Sequence, residues 1–243
     1  MMNIQTERQH LLEQIRQHTD PEYQATVSRT VPTGLKVYGL RVPQLRDIVR
    51  AWGRHHKQVA CDDLVALVEA LWNGESREER MLVTYLFEHY KHCAPDLTTV
   101  HFERWRRSLD NWEVTDSLGW VLALWLSADP DIRLGYLWEL IADEDVWSRR
   151  LALVATATIN RGHTDFTIPD LTLELIDQVK EERHPMITKA VSWTLRAMTK
   201  THPDQVAVYL EENREVLAAH VVREVNNKLR TGLKSGKTNS GAK

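Results

Sequence analysis

Apolar residues recur at every third or fourth position along most of the chain, with polar residues between them. This is the period at which side chains line up on one face of an α-helix. The alternation with period two that is typical of a half-buried strand is almost absent, and its one candidate, residues 166–168, is predicted to be a loop. The pattern therefore predicts an all-α protein.

Gly, Pro and Asp residues mark the boundaries of the predicted helices, and Pro is well tolerated in a first helical turn. The loop at residues 30–41 contains Pro32, Gly34 and Gly39. The first helix is predicted near residues 4–15 and the second from residue 21. Later helices are predicted at 42–52, 62–72, 76–90, 95–108, 112–126, 130–141, 146–159, 171–180, 185–199, 203–211 and 215–229.

A repeat is visible when the helix starts are aligned. Arg80, Asp116, Arg150 and Lys189 each precede a run of small and apolar residues, at spacings of 36, 34 and 39 residues. Such periods, with two helices per unit, are typical of tetratricopeptide and HEAT-type solenoids, and the tetratricopeptide signature is missing. We predict a HEAT-like α-solenoid of paired helices. The four charged residues would then form a row along a concave groove.

Composition restricts the class of protein. Residues 1–231 are predicted to form a single repeat domain, and residues 232–243 a basic tail without regular structure. The apolar runs stay below the roughly 18 residues needed to span a bilayer, and the polar N-terminus does not resemble a signal peptide. We expect a cytoplasmic protein, associated with the nucleoid if it is bacterial, without membrane contact. The expected state is a monomer.

The distribution of charge and the positions of the Cys and His residues further restrict the possible functions. The net charge is −3, but residues 180–243 contain 12 Lys or Arg against 7 Asp or Glu, which is compatible with a local phosphate-contacting surface. Cys61 and Cys93 suggest neither a disulfide framework nor a metal cluster, and the histidines lack acidic or Cys partners at ligand spacing. We expect no metal and no cofactor.

The stretch from Asn111 to Trp120 is the strongest functional candidate. Either Asp110 or Asn111 could cap the helix that begins there. Trp112 and Asp116 are four residues apart and share a helix face, so a ring and a carboxylate would be presented together. The alternative is structural, with the ring in rim packing and the acid in a solvated first turn.

Aromatic residues flank the charged row. Trp112 precedes Asp116 by one turn, Trp147 precedes Arg150 by three residues, and Trp193 follows Lys189 by four. Guanidinium groups bind phosphates bidentately and Trp rings stack on sugars or bases. The predicted phosphate contacts are Arg150, Lys189, Arg196 and Lys200. Trp120, Trp125 and Trp138 are assigned to the core, and Trp52, Trp72 and Trp105 to core or inter-repeat packing.

The candidate site offers a single carboxylate, that of Asp116, which limits the kinds of hydrolysis it could catalyse. Hydrolysis of an ordinary glycoside needs two carboxyl groups, one of which protonates the leaving group. A leaving group that is already cationic needs no acid, so a single anion can stabilise the sugar cation and help place a water molecule. Asp116 beside Trp112 in a cationic groove is therefore adequate for releasing a cationic base from DNA.

These residues resemble the AlkD-type DNA alkylation-repair glycosylases, which are built from HEAT-like repeats. The resemblance covers roughly residues 37–230 and includes the stretches at 38–46, 71–72, 112–117, 146–150, 192–196 and 200–203. It implies excision of cationic N3- and N7-alkylated purines from double-stranded DNA. It also implies that Asp116 is the catalytic anion, that Trp112 and Trp193 hold the deoxyribose, and that Arg150 contacts the backbone. Arg46 and Arg149, in matching stretches, are added to the predicted DNA contacts.

Three features depart from the family pattern. Residues 28–30 lack an aromatic side chain, Glu113 adds a negative charge beside the site, and the net charge is acidic for a DNA enzyme. Two alternatives to a glycosylase therefore stay open. One is a non-catalytic binder of branched or damaged DNA on the same scaffold, and the other is a HEAT-like protein-interaction scaffold.

Overall fold

The computed structural model describes residues 2–161 and 166–236, and over these residues the protein is all-α. The one β-type contact found there is an isolated bridge between Lys36 and Ser76. Among the described helices, none is both long enough and apolar enough to cross a membrane. The helices are α1 (Ile4–Gln17), α2 (Pro21–Thr30), α3 (Val42–His55), α4 (Cys61–Trp72), α5 (Arg77–His89), the 3₁₀ helix η1 (Lys91–Asp96), α6 (Thr99–Arg106), α7 (Trp112–Ala128), α8 (Pro130–Arg133), α9 (Tyr136–Ile141), α10 (Val146–Ile159), α11 (Pro169–Asp177), α12 (Pro185–Met198), α13 (Pro203–Glu212) and α14 (Ala219–Thr231).

The helix starts follow from local sequence. Asp20 accepts a hydrogen bond from the Tyr23 amide and has Pro21 after it, so a capping side chain and a preset φ angle both favour the start of α2. At the start of α5, Ser76 Oγ accepts from the Glu79 amide, while the Glu79 carboxylate accepts from the Ser76 amide. This reciprocal capping box satisfies two amides that a helix start leaves unpaired.

The contacts divide the chain into two compact units, Met1–Ala128 and Asp129–Lys243. In the first unit α5 packs against both α3 and α7, and α1 packs against α4. In the second unit α12 packs against both α10 and α14. Each unit thus has a central helix with neighbours on both sides, as expected for paired helical repeats. That residues 1–231 act as one domain stays a prediction.

The predicted C-terminal tail is partly described. Gly232, with φ 72°, takes the left-handed conformation that ends α14, and its amide donates to the Lys228 carbonyl. Lys234 lies 3.3 Å from the Glu224 carboxylate. The tail therefore begins with an ordered helix cap and an ion pair, and its last residues, 237–243, lie outside the described part of the chain.

Two predicted helices are wrong in their extent. Residues 95–108 contain the end of η1 and then α6, because Pro95 lies inside a 3₁₀ turn and α6 begins only at Thr99. Residues 130–141 contain α8 and α9. In the first turn of α9, the amides of Leu137 and Trp138 donate to the carbonyls three residues earlier, those of Leu134 and Gly135. The α-helical hydrogen bonding is therefore interrupted between α8 and α9.

The tryptophan assignments are confirmed for four residues and not for Trp120 and Trp138. Trp52, Trp72, Trp105 and Trp125 are all at most 4% exposed, and Trp120 is half-buried. Trp138 was assigned to the core and is 39% exposed. The short helix α9 buries Tyr136, Leu137, Leu140 and Ile141 instead, and these four share a helix face from which Trp138 points away.

The expectation that Cys61 and Cys93 form no disulfide is wrong. Cys61, the first residue of α4, and Cys93, buried in η1, form a disulfide across 32 residues of sequence. His92 lies beside them, with the ligand atoms of all three side chains within 4.8 Å of one another. Because both sulfur atoms are used in the disulfide, the imidazole of His92 is the one donor that this cluster offers a metal ion in the oxidised form.

The disulfide should contribute measurably to stability. A crosslink that closes a loop of this size stabilises a fold by about 2–4 kcal/mol, mainly by restricting the unfolded chain. Urea unfolding of the wild type with a dithiol reductant should therefore show a lower free energy than unfolding without it. In Cys61→Ser the reductant should have no effect. An equal response of wild type and variant would mean that the crosslink is not what the reductant acts on.

Candidate functional site

The first turn of α7 is fixed by Asn111. Its buried side chain places Oδ1 3.0 Å from the amides of both Glu113 and Val114, which are among the donors that a helix start leaves unpaired. Of the two capping candidates, Asn111 is therefore the cap. The position of the residues that follow, Trp112 and Asp116 included, depends on this turn.

Asp110 connects the start of α7 to the loop after α2. Its carboxylate accepts from Thr33 Oγ1 at 2.7 Å, from the Gly34 amide at 2.6 Å and from Asn111 Nδ2 at 2.8 Å. Burial raises the pKa of Asp110, but these hydrogen bonds outweigh burial and hold the pKa below its usual value. Asp110, ionised at neutral pH, thus anchors the loop to the helix.

Trp112 is held by contacts on two sides. Its Nε1 donates to the Thr30 carbonyl at 3.0 Å, at the end of α2. The half-buried ring packs against a cluster formed by Val27, Val31 and Val37. The segment that lacks an aromatic side chain, residues 28–30, therefore contributes through its backbone. Asp116, also half-buried, follows one turn later on the same face of α7.

Glu113 is not an unbalanced negative charge beside the site. Its carboxylate accepts from Arg77 Nε at 2.6 Å and from Arg77 Nη2 at 2.5 Å, a bidentate pair. The Arg77 side chain is 0% exposed and that of Glu113 is 16% exposed. The added charge predicted at this position is thus neutralised by an arginine 36 residues earlier.

The same arginine links three segments of the first unit. Arg77 Nη1 donates to Glu78 at 3.0 Å and to the Leu40 carbonyl at 3.3 Å. The Glu78 carboxylate in turn accepts from the amides of Tyr38, Gly39 and Leu40. Gly39 has φ 83° and its α-carbon faces the Asp20 carbonyl, where a β-carbon would lie 2.3 Å away. Only glycine fits at this position of the loop. The hydrogen bonds of Arg77 and Glu78 join the loop to the first turns of α5 and α7.

The predicted row of charges divides between the two units, with Arg80 and Asp116 in the first and Arg150 and Lys189 in the second. Arg80 Nη1 donates to the Ser108 carbonyl at 2.7 Å, and its guanidinium lies over the Trp72 ring. Arg80 therefore holds the segment after α6 in place. Lys189 is exposed on α12.

In the second unit, Arg150 connects α10 to α12. Arg150 is only 5% exposed, and its Nη1 donates to the Met186 carbonyl at 2.6 Å in the first turn of α12. Trp193, two turns further along α12, is half-buried, and the Arg161 guanidinium lies 5.0 Å from its ring. Arg196 follows Trp193 on α12, and Lys200 follows the helix end.

Two predicted DNA contacts already hold carboxylates. Arg46 pairs with Glu88 through Nε at 2.9 Å and Nη2 at 2.7 Å. Arg149 pairs with Glu182 through Nε and Nη2, and its Nη1 donates to the carbonyls of Asp143 and Glu144. Both stay predicted contacts. At either residue a phosphate would have to replace a carboxylate.

The comparisons with known proteins concern the chain as a whole. A family model described as "DNA alkylation repair enzyme" matches residues 11–229, which is nearly the whole chain. The chain belongs to this family. No curated protein matches this member of the DNA alkylation repair family.

Solved structures show the fold of this repair-family protein. A predicted DNA alkylation repair enzyme from Enterococcus faecalis matches with a TM-score of 0.68 and 19% identity, covering 92% of this chain and 98% of that one. AlkD2 from Streptococcus mutans matches with a TM-score of 0.53 and 17% identity over 88% and 98%. The smu.31 protein of Streptococcus mutans UA159 gives 0.51 and 16% over 87% and 97%. The predicted helical-repeat fold is confirmed.

Sequence reasoning missed several residues of this repair protein that surround the candidate site. Arg77 and its partner Glu78 lie at the start of α5, where charged residues are usually solvated, so no local signal separates them from surface charges. Arg161 and Lys228 were also missed. Their separation from Trp193 in the sequence hides the fact that all three line one pocket.

Proposed function

We propose that this protein is a monofunctional DNA glycosylase that hydrolyses the N-glycosidic bond of cationic N3- and N7-alkylated purines, such as 7-methylguanine and 3-methyladenine, in duplex DNA. The observation that carries the proposal is the pairing of Trp112 with Asp116 on one face of α7, in a member of the DNA alkylation repair family. The capping side chain of Asn111 and the bond from Trp112 to Thr30 support it, because they hold the pair in place before a substrate arrives.

The proposed step needs no general acid. The C1′–N bond breaks with its electron pair going to the base, so an alkylated purine that was cationic leaves neutral. Positive charge develops on the deoxyribose, where the Asp116 carboxylate stabilises it. The oxygen of a water molecule then bonds to C1′ and its extra proton passes to the surrounding solvent, which leaves an abasic sugar. Asp116 also orients this water molecule.

The other predicted residues are proposed to bind DNA. Trp112 and Trp193 hold the deoxyribose of the lesion, and Arg150 contacts the backbone together with Lys189, Arg196 and Lys200. Arg46 and Arg149 are proposed as outer contacts. The protein is proposed to act as a monomer, without a metal or another cofactor, on DNA in the cytoplasm.

The test is release of the free base. Purified protein is incubated with a duplex that contains one 7-methylguanine, and free 7-methylguanine is measured by mass spectrometry. Alkaline cleavage of the same strand measures abasic sites. The proposal predicts equal amounts of free base and abasic site, and no product from the undamaged duplex. Binding to branched or bulged DNA without any base release would instead favour a non-catalytic DNA binder.

A further inference from the structure

A pocket of about 320 Å³ opens in the second unit, between the end of α10, α12 and α14. As far as the structure describes the chain, its lining combines one aromatic ring with four cationic side chains and contains no acid. The residues of this cationic pocket are Arg161, Trp193, Arg196, Ala197, Lys200 and Lys228. Three of them, Trp193, Arg196 and Lys200, were singled out from the sequence as binding residues. Arg161 and Lys228 were not.

Among the described residues, the cationic side chains of the cationic pocket outnumber the carboxylates that pair with them. Within residues 2–161 and 166–236, the side chains of Arg161 and Lys200 have neither an ion-pair nor a hydrogen-bond partner. Lys228 Nζ donates to the Gly232 carbonyl, which carries no net charge. Arg196 lies 3.7 Å from the Glu224 carboxylate, which is shared with Lys234 at 3.3 Å. Within the described part of the chain, the carboxylate of Glu224 is thus the one acid paired with this cluster of four lining cations and Lys234.

Burial acts on the pKa of both arginines of the pocket, and charge repulsion acts on that of Arg196. Burial lowers the pKa of Arg161. Burial lowers the pKa of Arg196 as well; Glu224 opposes the shift and the charge of Arg161 adds to it. Both groups stay protonated at neutral pH because their ordinary pKa is so high. An anion bound between the two guanidinium groups would offset their mutual repulsion and replace the water contacts that they lose on burial.

We propose that the cationic pocket binds a phosphodiester phosphate of the DNA backbone, with Arg161 and Lys228 as contacts in addition to Arg196 and Lys200. Guanidinium groups present paired N–H donors that match two phosphate oxygens, and the lysines add charge at the rim. Arg161 lies over the Trp193 ring, so a phosphate held by Arg161 would be next to the ring proposed to hold the deoxyribose. The choice of DNA as the source of the phosphate rests on the proposed function.

The test measures binding to an undamaged duplex as a function of salt. Each phosphate contact contributes about −0.9 to the slope of log Kobs against log salt concentration. The double variant Arg161→Ala/Lys228→Ala should therefore bind about ten-fold more weakly at low salt, with a slope less negative by about one. Lys200→Ala, an exposed single change, should give a smaller effect in the same direction. An unchanged slope in both variants, with the fold intact by circular dichroism, would overturn the assignment.

The matched control is Arg214→Ala. Arg214 is an arginine of the same unit that pairs with Glu211 at 2.8 Å and is not part of the cationic pocket. It should leave the slope unchanged. If the slope of Arg214→Ala became less negative by as much as that of the double variant, the loss of DNA affinity would follow total charge. That result would overturn the pocket as a specific site.

A second arm distinguishes the source of the phosphate. Inorganic phosphate alone is titrated calorimetrically into wild type and into Arg161→Ala/Lys228→Ala. Weak binding by wild type that duplex DNA displaces agrees with a backbone site. Tight binding of inorganic phosphate that duplex DNA fails to displace would overturn the backbone assignment in favour of a free phosphate ligand.

Failure of this site and failure of the glycosylase proposal give different results. If the wild type releases no base but the double variant loses DNA affinity, the pocket assignment stands and the catalytic proposal fails. If the wild type releases 7-methylguanine while the double variant keeps its DNA affinity and salt slope, the catalytic proposal stands and the pocket assignment fails.

Discussion

Asp116→Asn should lower single-turnover release of 7-methylguanine by about a hundred- to a thousand-fold, while binding to the damaged duplex stays the same or improves. The amide keeps the size of the side chain but removes the anion that stabilises charge on the deoxyribose. Loss of one preorganised electrostatic group of this kind typically costs that factor in rate. Removing a negative charge near the DNA backbone also removes repulsion, which is why affinity should not fall. Rates come from quenched reactions with enzyme in excess, and affinity from fluorescence anisotropy.

The control for this variant is Asp204→Asn. Asp204 is an exposed acid in the first turn of α13. Its replacement by Asn changes charge and shape in the same way as Asp116→Asn, but away from α7. Base release by this variant should match the wild type. Undiminished release by Asp116→Asn would show that the carboxylate is not the catalytic anion, and an equal loss in both variants would point to overall charge instead.

Arg77→Met should lower the free energy of unfolding by about 3–5 kcal/mol. Removal of one partner from a buried charge pair leaves the other charge without compensation, and such losses have this size. Arg77 pairs with Glu113 and Glu78, so the substitution leaves two carboxylates without the guanidinium that neutralises them. Urea unfolding followed by circular dichroism measures the change.

A double-mutant cycle separates the charge from the packing. Glu113→Leu combined with Arg77→Met should recover part of the stability lost in Arg77→Met, because the pair is then replaced by apolar groups. The exposed pair formed by Arg214 and Glu211 serves as the control, and Arg214→Met there should cost less than about 1 kcal/mol. A similarly small loss for Arg77→Met would show that the buried network does not hold the start of α7.

Helices with strong local boundaries could be predicted from the sequence almost to the residue. α10 begins and ends where predicted, and α7 begins at the predicted residue, because Asp145 and Asn111 provide caps and apolar runs follow them. The break between α8 and α9 was missed. Hydrophobic period alone does not show where amide bonds shift from four residues back to three, as the Leu137 amide does.

The candidate site was predictable where its geometry is local. The four-residue spacing places Trp112 and Asp116 on one helix face in any helix, so the sequence was sufficient. The bond from Trp112 to Thr30 joins residues 82 apart, and the pair of Arg77 with Glu113 joins residues 36 apart. Such contacts depend on how the helices pack, which one sequence without its structure does not reveal. The disulfide between Cys61 and Cys93 was missed for the same reason.

The proposed mechanism depends on a single carboxylate being sufficient because the departing base already carries a positive charge. The most direct measurement compares two purines in the same duplex context, cationic 7-methylguanine and neutral hypoxanthine, in single-turnover base release by the wild-type protein. We expect release of 7-methylguanine that is lost in Asp116→Asn, and no release of hypoxanthine above the rate without enzyme. Comparable release of both bases would require a general acid that the proposed mechanism lacks, and would contradict it.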